Sequence, residues 1–176
     1  MAIENLRELQ APSYTELHTE EETLWTEILP RLWLGGTADD DTDFQLQKPY
    51  ITNKQFDTVV TLYAAANPVD WFVREVRYGF WDSDVSHIDP EDLFDLVRVA
   101  HSDWKRGKRV LIRCQAGWNR SSLVMALVLM REGWHAGHAI ETMRKKRSPH
   151  VLCNLSFERW LRVQDAENWR GGFYGE

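Results

Sequence analysis

Cysteine is nearly missing from this chain: 176 residues contain only two, Cys114 and Cys153. A disulfide framework is thereby excluded, and the expected setting is a reducing, cytoplasmic one. Long apolar runs are missing too. None approaches the ~20 residues a membrane-spanning helix needs, and the N-terminus shows no basic region followed by an apolar stretch, so no membrane partner is expected. Positive charge is short, with 21 Lys and Arg against 27 Asp and Glu and a net charge of −6. General attraction to nucleic acid is disfavoured, so nucleic acid is an unlikely partner and any anion must be gripped locally.

Metal-ligand spacing is lacking as well. His87, His101, His135, His138 and His150 do not fall in step with carboxylates or cysteines. Asp39, Asp41 and Asp43 alternate as in a calcium loop, but Phe44 and Tyr50 stand where that loop needs Gly and Glu. A solvated acidic loop is expected there, and neither metal nor cofactor is called for.

What the chain does have is the run Val110-Leu111-Ile112-Arg113-Cys114-Gln115-Ala116-Gly117-Trp118-Asn119-Arg120-Ser121-Ser122. It reads as a short apolar strand, a tight loop and a helix start. Such a loop turns backbone N–H groups inward, and the helix dipole adds partial positive charge, so phosphate or another oxyanion should sit in it. The turn does not end in Lys-Ser or Lys-Thr, which excludes the nucleotide-binding P-loop. Arg120, six residues after the cysteine, offers a planar fork that can hold two phosphate oxygens. The same positive field favours the thiolate of Cys114, which becomes a nucleophile beneath the bound phosphate.

Around this run the pattern is α/β, a central mostly parallel sheet flanked by helices. Apolar residues from Trp25 to Leu34 around Pro30 suggest a paired strand or hairpin, ended by Gly35-Gly36. Residues 56–63 and 73–80 read as further strands. Asp89 and Pro90 start a helix as N-cap and first residue, running to Gly107, with Leu93, Val97 and Ala100 on its buried face. Helices over about 136–147 and 154–167 follow, the second capped by Asn154. The expected organisation is a polar extension over 1–24, one catalytic domain over 25–168 and a tail over 169–176. The site then lies at the carboxyl end of a central strand, where open α/β sheets place ligands.

From about Trp25 to Arg162 the chain resembles the cysteine-based protein phosphatases, and among them the compact dual-specificity type. Cys114 through Ser121 matches the family pattern of Cys, five residues, Arg, then Ser or Thr. Residues 28–35 resemble the family's opening strand and 154–161 its final helix. The resemblance implies that Cys114 attacks phosphorus to give a phosphocysteine and that N–H groups from Gln115 to Arg120, through Ala116, Gly117, Trp118 and Asn119, hold the oxygens. Ser121 would help the thiolate leave. It also implies an aspartate general acid upstream of the cysteine. Asp82 and Asp84 both qualify; Asp82 is preferred because Tyr78, Phe80 and Asp82 continue one alternating face. In one respect the chain departs from the family, which usually has His before the nucleophile where this chain has Arg113.

The loop carries Gln115, Ala116 and Trp118 where phosphoinositide-directed relatives carry lysines, which argues against inositol lipids. Trp118-Asn119-Arg120 resembles the loop end of RNA 5′-triphosphatases, the alternative substrate class, beside a catalytically inactive phosphate-binding module. Phosphotyrosine in a protein or peptide is the preferred substrate, with phosphoserine and phosphothreonine as further ones. Trp81 and Trp118 are candidates for an aromatic rim. The run Arg144-Lys145-Lys146-Arg147 is expected to be a solvated helix end, and Cys153 to be structural.

Overall fold

The structure is a computed structural model and describes residues 24–37, 51–164 and 166–170. The expected extension up to residue 23, the Asp39–Asp43 loop and residues 171–176 lie outside the described residues.

Among the described residues, five strands form one sheet, in the spatial order Trp25–Leu29, Leu32–Gly35, Val110–Arg113, Thr58–Thr61, Arg74–Arg77. β1 (Trp25–Leu29) and β2 (Leu32–Gly35) are the antiparallel hairpin around Pro30, and Arg31 in its turn takes φ 66°. β3 (Thr58–Thr61), β4 (Arg74–Arg77) and β5 (Val110–Arg113) pair in parallel with their neighbours, so the sheet is mostly parallel and flanked by helices, as the sequence pattern indicates. The strands are shorter than expected, four residues each in β3 and β4, because only their central pairs enter the ladder.

The central strand is hydrophobic on both faces. Val110 and Ile112 point into the larger core, whereas Leu111 points to the opposite side, against Ile51, Phe56, Val59 and Val73. Period-two alternation then sends Arg113 to the second side and Cys114 to the first. α1 (Pro90–Lys105) starts as read, with the Asp89 carboxylate accepting from the Glu91 N–H at 2.8 Å. α2 (Arg120–Arg131) is buried all round from Ser121 to Met130, the condition of a helix surrounded by other elements. α3 (Ala136–Lys146) and α4 (Leu155–Arg162) complete the larger core, Phe157 and Leu161 being fully buried.

Packing does not stop at residue 168. In α5 (Ala166–Arg170), Trp169 is buried against Phe94 and Trp160, and its carbonyl accepts from Arg131 at 3.0 Å. The boundary expected at 168 therefore cuts through a helix that belongs to the core; a single short turn after a longer helix leaves little periodicity to read.

Candidate active site

Register places the site. Gly35, Arg113 and Thr61 lie side by side across β2, β5 and β3, and the chain leaves the sheet one residue later at Cys114. The loop from Gln115 to Asn119 then delivers Arg120 to the first position of α2.

The loop's carbonyls are each taken by a donor outside it. Gln115 O accepts from Thr37 N at 2.9 Å, and Ala116 O and Gly117 O accept from the Arg147 guanidinium at 3.2 and 2.9 Å. Trp118 O accepts from Leu152 N at 2.8 Å. In a planar trans peptide the C=O and the following N–H point in opposite directions. Anchoring four successive carbonyls outward therefore turns the N–H groups of Ala116, Gly117, Trp118 and Asn119 inward, where they converge as an anion-binding nest. The Gly117 N–H already reaches Cys114 Sγ at 3.3 Å. Gly117 has φ 76°, and a Cβ there would lie 2.4 Å from the Gly35 carbonyl carbon, so only glycine fits.

Cys114 is 2 % exposed and its Sγ lies 3.2 Å from the Ser121 hydroxyl. Arg120 approaches from the helix side. Its Nη1 donates to Leu62 O at 3.4 Å and Phe80 O at 3.3 Å, and its guanidinium sits 5.3 Å from the Tyr63 ring centre. Nε of the same group is buried with no hydrogen-bond partner among the described residues. A guanidinium anchored at one nitrogen and unsatisfied at another is poised to bind an oxyanion, because burying an unmet donor is costly.

The two candidate acids separate clearly. Asp84 caps the short 3-10 turn Val85–His87: its carboxylate accepts from the Ser86 N–H at 2.8 Å and from the Ser86 hydroxyl. These Ser86 hydrogen bonds, aided by His87, hold its carboxyl below the usual range. Asp82 instead faces the loop, with Oδ2 3.0 Å from Asn119 Nδ2 and Oδ1 2.8 Å from Asn154 Nδ2. Both oxygens are thus tied to residues that frame the nest.

Two expectations change, and the place of Arg113 is fixed. Trp118 is only 5 % exposed and packs against His150 at 5.1 Å, so of the proposed aromatic rim Trp81 alone, at 80 %, is open to solvent. Arg147 is not part of a solvated face, because it is the clamp on the loop's carbonyls and also reaches Thr26 Oγ1 at 3.1 Å. Arg113 does not approach the phosphate nest. It is 3 % exposed on the far side of the sheet, where its guanidinium meets Thr61 Oγ1 at 3.0 Å, Asn67 O at 2.6 Å and Glu75 at 3.2 Å. Cys153 is exposed, with its sulfur 3.4 Å from the Asn119 amide nitrogen. Sequence reading missed the role of Asn119's side chain, took Arg147 for part of a solvated helix end and saw Asn154 only as a helix cap. The capping signal was local and visible, whereas the contacts to Asp82 span 37 and 72 residues.

Comparison with known proteins agrees with this geometry. The family model described as the dual specificity phosphatase catalytic domain matches residues 44–166. The chain is 27 % identical over 143 residues to the "Putative tyrosine phosphatase 123R" of Invertebrate iridescent virus 6, covering 77 % of this chain and 93 % of that protein. Among solved structures, human DUSP28 superposes with a TM-score of 0.61 at 20 % identity, covering 82 % of this chain and 94 % of that one. PTPMT1, solved in complex with PI(5)P, gives 0.55 at 18 % identity over 79 % of this chain and 97 % of its own. Cysteine loop, arginine and matched domain together define a phosphatase. The chain belongs to the dual specificity phosphatase catalytic domain family.

Proposed function

We propose that this phosphatase hydrolyses phosphotyrosine in proteins or peptides, and phosphoserine or phosphothreonine where they reach the nest, through a phosphocysteine intermediate in a reducing compartment such as the cytoplasm. The observation that carries the reading is Cys114 Sγ between the Gly117 N–H and the Ser121 hydroxyl, in a loop that ends at Arg120, whose buried Nε has no hydrogen-bond partner among the described residues. The thiolate attacks phosphorus as the bond to the leaving oxygen breaks. Asp82 gives that oxygen its proton, so the alcohol or phenol departs neutral. The inward N–H groups and Arg120 hold the three equatorial oxygens, whose charge is greatest during transfer. Water then attacks the phosphocysteine, losing its proton to the Asp82 carboxylate. The thiolate leaves with the Ser121 hydroxyl donating to it.

Substrate class follows from what lines the nest. Gln115, Ala116 and Trp118 add no cation to meet further phosphates, which favours a single monoester over an inositol lipid or a triphosphate end. Trp81, exposed beside Asp82, offers a flat surface for an aryl group. Relative kcat/KM on a phosphotyrosine peptide, a phosphothreonine peptide, a phosphoinositide and triphosphate-ended RNA, each with chelator present, tests the reading. Phosphotyrosine is expected to rank first. Binding of phosphate esters without any hydrolysis would instead leave a phosphate-recognition module.

A further inference from the structure

We propose that Asn119 is a positioning residue that couples the phosphate loop to the acid, so that the loop which grips the phosphate also sets the carboxyl that protonates the leaving oxygen. The inference rests on the reading of Asp82 as the general acid.

Asn119 stands at the N-cap position of α2, where an Asn usually caps the helix with its own side chain. Here it makes no such bond. Its amide turns toward the acid loop, and the orientation of that amide is determined by chemistry. The backbone N–H of Asn154, which can only donate, lies 2.9 Å from Asn119 Oδ1. The carbonyl end must face Asn154, so the NH₂ end faces Asp82 Oδ2 at 3.0 Å.

Asn154 is constrained in the same manner. Its Oδ1 accepts from Ser156 N at 3.0 Å and Phe157 N at 3.3 Å as the cap of α4. Its Nδ2 is thereby left to donate to Asp82 Oδ1 at 2.8 Å and to Ser83 O at 2.9 Å. An exposed carboxylate on a loop is thus held by two amides, each locked by an obligate backbone donor at its other end. Asn119 is the one of the pair whose own backbone belongs to the nest. Anything that displaces the loop displaces the acid with it, and a carboxyl oxygen accepting one amide N–H still has a site for the proton it must deliver.

The discriminating measurement is the leaving-group split. A general acid contributes ~10²–10⁴-fold where the leaving oxygen is basic and almost nothing where it is a stable phenolate. Asn119→Ala is expected to lower kcat/KM on phenyl phosphate, which reports the step in which the leaving oxygen is protonated, about tenfold, a part of that contribution. Its kcat/KM on a fluorinated umbelliferyl phosphate should fall far less, so that the ratio of the two values shifts several-fold. Asn119→Ser should behave likewise: serine is a good N-cap, which protects folding, but is too short to reach Asp82. In an Asp82→Ala background neither substitution should cause a further loss on phenyl phosphate, since there is no acid left to position. An equal loss on both substrates, no loss on either, or a full further loss in the Asp82→Ala background would overturn the proposal. If Asp82→Ala itself spares phenyl phosphate turnover, the reading of the acid has failed, and the coupling fails with it.

Discussion

Arg113 and Arg120 flank the same loop and lie on opposite sides of it in every sense. Arg113 is surrounded by acceptors already in place: Glu75 at 3.2 Å, a threonine hydroxyl and a carbonyl. Glu75 also binds the Thr61 hydroxyl at 2.6 Å and Arg77 at 2.9 Å, so one carboxylate is shared by two guanidiniums and the network joins β3, β4 and β5. Arg120 has two weak carbonyl contacts, an aromatic face and a buried Nε with no acceptor among the described residues. The same side chain is therefore a structural tie where a carboxylate accompanies it and, on the proposed function, a phosphate clamp where none does.

Removing each arginine in turn is the direct way to break this comparison. Arg120→Ala should lower kcat/KM on an aryl phosphate by about 10³-fold, since it deletes a preorganised donor at the developing charge, while thermal stability changes little. Arg113→Met should do the reverse. It strips a buried partner from Glu75, at a cost of about 3 kcal/mol seen as a lower Tm, while kcat per folded molecule stays within a few-fold of the parent. A Tm loss from the first or a turnover collapse from the second would erase the distinction.

The smallest effect is expected at a pair outside the loop. Glu158 accepts from Arg144 at 2.7 Å, and that bond holds its carboxyl below the usual range against the opposing effect of burial, with Arg162 adding to it. A carboxyl depressed in the folded state contributes stability that is complete above its unfolded pKa of ~4.3 and is lost as pH falls through the lower folded value. Tm measured downward from pH 6 should therefore fall less steeply in Glu158→Gln than in the parent, with neutral-pH activity unchanged. A parallel fall in both proteins would remove Glu158 from the account of acid sensitivity.

How much of this could be read in advance depends on how far each residue reaches. Asp89 and Pro90 announced α1 because capping is settled within three residues, and the Cys114-to-Arg120 spacing is itself local. The mostly parallel sheet was legible in the alternation of strand and helix patterns. Arg147 was not, because its guanidinium serves carbonyls 30 and 31 residues away. The choice between Asp82 and Asp84 stayed open because the residues that separate them, Ser86 beside one and Asn154 far from the other, give no spacing signal. Arg113 is the instructive case. Strand alternation alone places it opposite Cys114, so its distance from the nest was available, but its partners Thr61 and Glu75, 52 and 38 residues earlier, were not.

The most direct test of the account is to trap the intermediate. Wild-type enzyme mixed with an aryl phosphate and acid-quenched within a turnover should carry one phosphoryl group on the peptide containing Cys114, and Cys114→Ser should carry none and turn nothing over. A Cys114→Ser protein that still hydrolyses the ester, or a wild type that turns over with no phosphoryl adduct on that peptide in rapid-quench time courses, would contradict it.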